Sequence, residues 1–230
     1  MRYVYCHPLF DERKCSHRFS YQLKKSFQQK GVNLERFDYR GTGEARGQFS
    51  NVTWDTLRED IRRFVDDDNL SLIGLRLGGT LALDYCLQYH ENVKNLVLIE
   101  PIIIGADYAQ YLRRKQHIKD LMTAGSSAEL NEKGFENIEG FKTSSRLIKQ
   151  IQKINLLEQP KNTVLKTRII VIHISNRKRP VNTLEHFLKI LSNITTEVSI
   201  QTVNSPVFWE RLPNADYNKI TKRVCKWSDD

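Results

Sequence analysis

Short β-rich runs alternate with segments of helical spacing along almost the whole chain, and that alternation restricts the fold more than any other feature. The runs lie at 2–6, 33–37, 70–75, 95–99, 168–174 and 197–203. Apolar residues recur at helical spacing in 16–30, 53–65, 77–89, 181–191 and 214–226. Strand, helix, strand repeated in this way predicts an α/β fold, with a mostly parallel sheet covered by helices on both faces. Residues 105–160 break the rhythm: two helix-like pieces, 108–124 and 144–156, flank a polar stretch at 125–142. An insertion of this kind in a doubly wound sheet lies over the carboxyl ends of the strands, where ligands bind. The 230 residues therefore predict a single domain, 1–230, with 105–160 as a small helical cap.

With 40% hydrophobic and 27% charged residues the chain has the composition of a folded protein. No run approaches the roughly 18 apolar residues of a membrane span, and the N-terminus has no charged region followed by an apolar one. Cys6, Cys15, Cys86 and Cys225 form no C-x-x-C pair, which points to a reduced, cytoplasmic setting with no structural metal site. The net charge of +9 raises nucleic acid as a partner. However, the excess is concentrated at 161–230, with 12 basic residues against 6 acidic. There Ile220, Val224 and Trp227 fall at i, i+4 and i+7, which turns Lys219, Lys222, Arg223 and Lys226 to the solvated face of a helix. The other basic run is Arg177-Lys178-Arg179, and no nucleic-acid motif accompanies either.

The segment Leu72-Ile73-Gly74-Leu75-Arg76-Leu77-Gly78-Gly79-Thr80 carries the functional argument. An apolar strand passes through Gly-x-x-x-Gly directly into a helix, the arrangement of the nucleophile elbow G-x-S-x-G. Glycines are needed there because strand and helix pass too close for side chains. The central residue is Arg76, whose guanidinium stays protonated and has no lone pair for attack.

Upstream, Phe37-Asp38-Tyr39-Arg40-Gly41-Thr42-Gly43-Glu44-Ala45-Arg46-Gly47 resembles the D-x-R-G-x-G-x-S-x-G loop of α/β-hydrolases. Further short matches narrow the resemblance. They are His7-Pro8-Leu9-Phe10-Asp11-Glu12 with Lys14, Ser16 and Arg18; Gln110 with Leu112-Arg113; Glu139-Gly140-Phe141; and Ser205-Pro206-Val207-Phe208-Trp209. Together with the elbow they resemble the hydrolase-like proteins associated with the exosortase A protein-export system of bacteria. The resemblance implies an α/β-hydrolase fold, acyl substrates such as esters or thioesters, and a second hydrolase-like protein as partner. A full α/β-hydrolase sheet opens with two further strands, so the expectation is either a trimmed sheet or a true start that lies upstream.

The triad of that family runs Ser, acid, His. Here the segment after 168–174 is Ser175-Asn176-Arg177-Lys178-Arg179-Pro180, without a carboxylate, and Asn204-Ser205-Pro206-Val207 after 197–203 has no histidine. Glu100 occupies a position that some members use for the acid. The expectation is a degenerate triad with Arg76 at the nucleophile position and Glu100 as a possible acid. The pocket would be lined by His7, Leu9, Arg76, Leu77, Glu100 and His173, with N–H groups of Leu9 and Leu77 as an anion-stabilising pair. No metal or cofactor is expected, although His7, His173 and Glu100 could in principle share an ion. A small anionic or acyl ligand fits a cation at a helix N-terminus. Glu100 is the expected internal partner of Arg76. The alternative is an active hydrolase or acyltransferase working through substitute residues, and a thiol of Cys6 or Cys15 beside His7 is one such route.

Overall fold

The computed structural model describes residues 2–64, 70–89, 93–122, 133–158, 164–176, 181–195, 197–210 and 217–227. The runs Asp66–Asp68 and Arg177–Arg179 lie outside the described residues, as does most of the polar stretch within the insertion. Six strands, β1 (Arg2–Cys6), β2 (Asn33–Arg36), β3 (Leu70–Leu75), β4 (Val93–Ile99), β7 (Arg168–Ile174) and β8 (Val198–Val203), form one sheet. Their order is β2-β1-β3-β4-β7-β8, and every pairing is parallel.

Alternate strand residues face opposite cores, as a sheet covered on both sides requires. Val4, Cys6, Leu70, Leu72, Leu96, Leu98, Ile169 and Val171 join helices α3 (Trp54–Arg62), α4 (Leu77–Tyr89) and α7 (Asn182–Ile194). Tyr3, Tyr5, Ile73, Leu75, Val97, Ile99, Ile170 and Ile172 join α2 (His17–Gln29) and α8 (Tyr217–Trp227) on the other side. In α8, Ile220, Val224 and Trp227 are buried, while Lys219, Lys222, Arg223 and Lys226 are exposed, as their spacing predicts.

The 105–160 segment holds α5 (Gly105–Met122), α6 (Ser145–Gln152) and a two-stranded antiparallel hairpin, β5 (Phe135–Ile138) with β6 (Phe141–Ser144). The hairpin turns through Glu139 and Gly140, both at positive φ (55° and 90°), as a two-residue hairpin loop requires. Tyr108, Leu112, Ile138, Leu147, Ile148 and Ile151 bury their side chains in the same core as α3 and α4. Phe141 packs on Phe10 and Phe49, and the Gln150 side chain accepts a hydrogen bond from Trp54 N. The segment is thus packed against the body near the ends of β1 and β3. No helix among the described residues is long and apolar enough to cross a membrane.

Candidate functional site

The elbow forms where β3 delivers the chain to α4. Arg76 sits at φ 53°, in the left-handed region that residues with a Cβ seldom occupy. Its N–H donates to Ile99 O at 2.9 Å, and its carbonyl accepts from Gly79 N at 2.9 Å and Thr80 N at 3.2 Å. The flanking glycines are sterically required. A Cβ on Gly74 would lie 2.5 Å from Gly79 N, and one on Gly78 would lie 2.5 Å from the carbonyl oxygen of His7. The second clash also shows that the start of α4 presses against the end of β1, which brings the N-terminal turn of α4 next to the segment leading to Leu9.

From this turn the Arg76 side chain reaches Glu12. Nε and Nη2 each lie 3.3 Å from Glu12 Oε1, and Nη1 lies 3.4 Å from the carbonyl oxygen of Glu100. The guanidinium also stands over Trp209, 4.8 Å from the ring centroid, and 5.9 Å from that of Tyr108. Those hydrogen bonds are long, so charge attraction and stacking on the aromatic faces carry much of the contact. Glu12 is fully buried. Burial pushes its carboxyl upward against the pull of Arg76, whereas for Arg76 the cost of burial is more than offset by Glu12 and the shift is also upward. The two shifts favour opposite states of the pair. Arg76 does not lose its proton near neutrality, so ionised Glu12 always meets a charged partner.

Glu12 therefore takes the place that the sequence reading gave to Glu100. The cause is α1 (Phe10–Cys15), a six-residue helix that buries Phe10, Asp11 and Glu12 together. Around it Glu139 at the hairpin turn accepts from Asp11 N at 3.1 Å and pairs with Lys115 of α5. Glu100 turns the other way. At φ 45° its carboxylate accepts from Ile174 N at 2.5 Å and meets His173 Nδ1 at 2.6 Å. An acid–histidine pair is thus assembled from the ends of β4 and β7. It borders a small cavity of about 90 Å³ walled by Pro101, Val181 and Leu184.

In front of Arg76 lies an open depression of about 340 Å³, walled by Pro101, Ile103 and Val181, with Asp107, Tyr111 and Glu210 at its margin. Tyr111 donates its hydroxyl to Glu210 at 3.0 Å. Leu9, the residue before α1, and Leu77, the first of α4, are both buried. His7 lies apart from this group, edge-on to Tyr39 at 4.4 Å and lining a different cavity. The structure thus pairs the Glu100 carboxylate with His173, lets Arg76 meet Glu100 through its carbonyl oxygen, puts Leu77 beside the end of β1, and places His7 at a different cavity from His173. Among the described residues no three His, Cys, Asp or Glu side chains converge as metal ligands. Burial pushes the Cys6 thiol up to about 12, which disfavours its thiolate form.

Glu12, Tyr108 and Trp209 belong to the site without having been assigned to it from the sequence. Glu12 and Trp209 both lie in segments that carry the family resemblance. Trp209 is buried against Phe208 and also forms a face for Arg76.

A family model described as serine aminopeptidase, S33, matches residues 13–160, well over half of the chain. A proline iminopeptidase of Elizabethkingia meningoseptica is 24% identical over 103 residues, covering 42% of this chain and 35% of that protein. Ethanol acetyltransferase 1 of Cyberlindnera fabianii is 25% identical over 166 residues, covering 68% of this chain and 48% of that protein. The chain thus spans between a third and a half of these relatives. Among solved structures, the esterase Est1E of Butyrivibrio proteoclasticus with bound ferulic acid superposes with a TM-score of 0.68 at 14% identity, covering 98% of this chain and 87% of that one. The mouse α/β-hydrolase domain-containing protein 10 gives 0.62 at 17% identity, covering 99% and 89%. These likenesses establish the α/β-hydrolase fold.

Proposed function

The chain belongs to the serine aminopeptidase S33 family, and we propose that this member binds a small acyl ligand before Arg76 without turning it over through a serine. The reading rests on one observation: the guanidinium at the nucleophile position is held by buried Glu12. A nucleophile must present an accessible lone pair; the guanidinium has none to offer, and the Glu12 carboxylate is fully buried. The same pairing bears on the ligand. Glu12 neutralises Arg76, and Asp107 and Glu210 stand at the margin of the depression, so a carbonyl oxygen is accommodated more readily than a full anion. The N–H groups at Leu77 and Leu9 are the donors for that oxygen, with the apolar walls taking the acyl chain. Residues 105–160 act as a cap over it. The resemblance to the exosortase-associated proteins supports a second hydrolase-like protein as the macromolecular partner.

A second reading is favoured by the Glu100–His173 pair. A histidine oriented by a carboxylate is a general base, so residual hydrolysis would proceed by direct attack of water rather than through an acyl-enzyme. One experiment separates the readings. Titrations with butyramide and butyrate are paired with turnover of p-nitrophenyl butyrate. The binding reading expects butyramide to bind at least as tightly as butyrate, Arg76→Met to weaken it, and no turnover above buffer. Turnover that Glu100→Gln abolishes would overturn the binding reading in favour of water activation. Butyrate bound far more tightly than butyramide would replace the acyl ligand by an anionic one.

A further inference from the structure

The sheet ends in a second polar concavity that shares no residue with the depression before Arg76. Strand parity builds it. Tyr3 and Tyr5 of β1 and Leu34 of β2 point toward α2, and the next residues of the same parity are His7, Arg36 and Asp38. On α2, Ser20 and Lys24 lie one turn apart on the facing side, following Ser16. Where the stripes turn from apolar to polar, the layers enclose a cavity of about 230 Å³.

Its charges are unbalanced. Arg13 pairs with Asp38, whose other oxygen accepts from Glu44 N at 3.0 Å. Lys24 and Arg36 are half-buried and make no ion pair among the described residues. The lining therefore carries two positive charges in excess.

His7 supplies the second observation. Its side chain is 8% exposed, and Nδ1 lies 2.8 Å from the carbonyl oxygen of Pro8. A carbonyl only accepts, so the proton sits on Nδ1 and Nε2 offers a lone pair. Burial pushes His7 down to about 4, which keeps the ring neutral at pH 7. Nε2 is buried with no hydrogen-bond partner among the described residues, and Asp38 Oδ1, 3.9 Å away, is itself an acceptor. An orphaned acceptor of this kind is satisfied by a donor from outside the chain, a water or a ligand hydroxyl.

We infer that this cavity is a binding site for a phosphate monoester carrying a neighbouring hydroxyl, with Arg36 and Lys24 on the phosphate and His7 Nε2 accepting from the hydroxyl. A monoester near neutral pH carries about two negative charges, which match the excess, and a guanidinium fork suits phosphate oxygens. A simple carboxylate would leave one cation unbalanced, and a ligand without the hydroxyl would leave Nε2 to water.

Calorimetric titration of the full chain with glycerol 3-phosphate, inorganic phosphate and glycerol tests the assignment. Glycerol 3-phosphate should bind several-fold more tightly than phosphate, and glycerol should not bind. Arg36→Gln and Lys24→Gln lie at the half-exposed rim, and each should weaken both phosphates by about tenfold. His7→Phe should erase the preference for the ester while leaving phosphate binding intact; should that variant not fold, the two charge variants decide. Absence of binding, or affinities unchanged in Arg36→Gln and Lys24→Gln, would overturn the site. Binding to phosphatidate-containing vesicles with none to glycerol 3-phosphate would overturn a free ester as ligand and assign the phosphate to a lipid.

Discussion

Arg76 is where residue chemistry and function meet. Among the described residues four non-glycines take positive φ, namely Phe10, Arg76, Glu100 and Glu139, and all four stand at or beside this site. Such conformations cost on the order of 1–3 kcal/mol each and persist only when their surroundings over-determine them. The Glu12 contact, the stacking on Trp209 and the Glu139 bridge to Asp11 N are those surroundings. A buried pair is sensitive to losing one partner and far less so to losing both. Glu12→Leu and Arg76→Met should therefore each destabilise the protein by about 3–5 kcal/mol, and the double variant by clearly less than the sum. Urea unfolding of the four proteins measures this; strict additivity would show that the pair is not coupled. Arg76 was legible in the sequence because glycines at fixed spacing mark the elbow. Its partner was not, because Glu100 and Glu12 are equally plausible carboxylates until the direction of α1 is known.

At the scale of elements, the sheet strands were legible to within two residues at either end, because apolar runs in a doubly covered sheet leave little ambiguity. The long helices followed from their apolar stripes. Those of the insertion appear as Gly105–Met122 and Ser145–Gln152, displaced by a few residues from their predicted limits. What escaped was short: α1, with six residues and four charges, and the β5–β6 hairpin, whose four-residue strands carry too few apolar positions to show a period. Both missed elements border the Glu12–Arg76 pair, which is why the fold was easier to read than the site. The strand-to-helix junction gives the element-scale prediction. Gly74→Ala places a methyl group against Gly79 N and Gly78 O, backbone atoms that cannot swing away. It should cost about 1–3 kcal/mol or more as overpacking, read as a lower unfolding midpoint, and a neutral result would mean that β3 and α4 are not held this closely.

Across the whole molecule, the chemistry gathers at the carboxyl ends of the strands, as expected for open parallel sheets. Two cores clamp the sheet, and its ends carry two sites of different character: a compensated guanidinium before an apolar depression, and an uncompensated basic cavity beneath α2. The fold is that of serine hydrolases, but the position that defines their chemistry holds a cation paired to a buried acid. Intact-mass spectrometry after incubation with a fluorophosphonate tests this claim most directly, since such reagents report a serine activated by a base. The protein should keep an unmodified mass under conditions that fully label an active serine esterase. A stoichiometric adduct on any serine would contradict it.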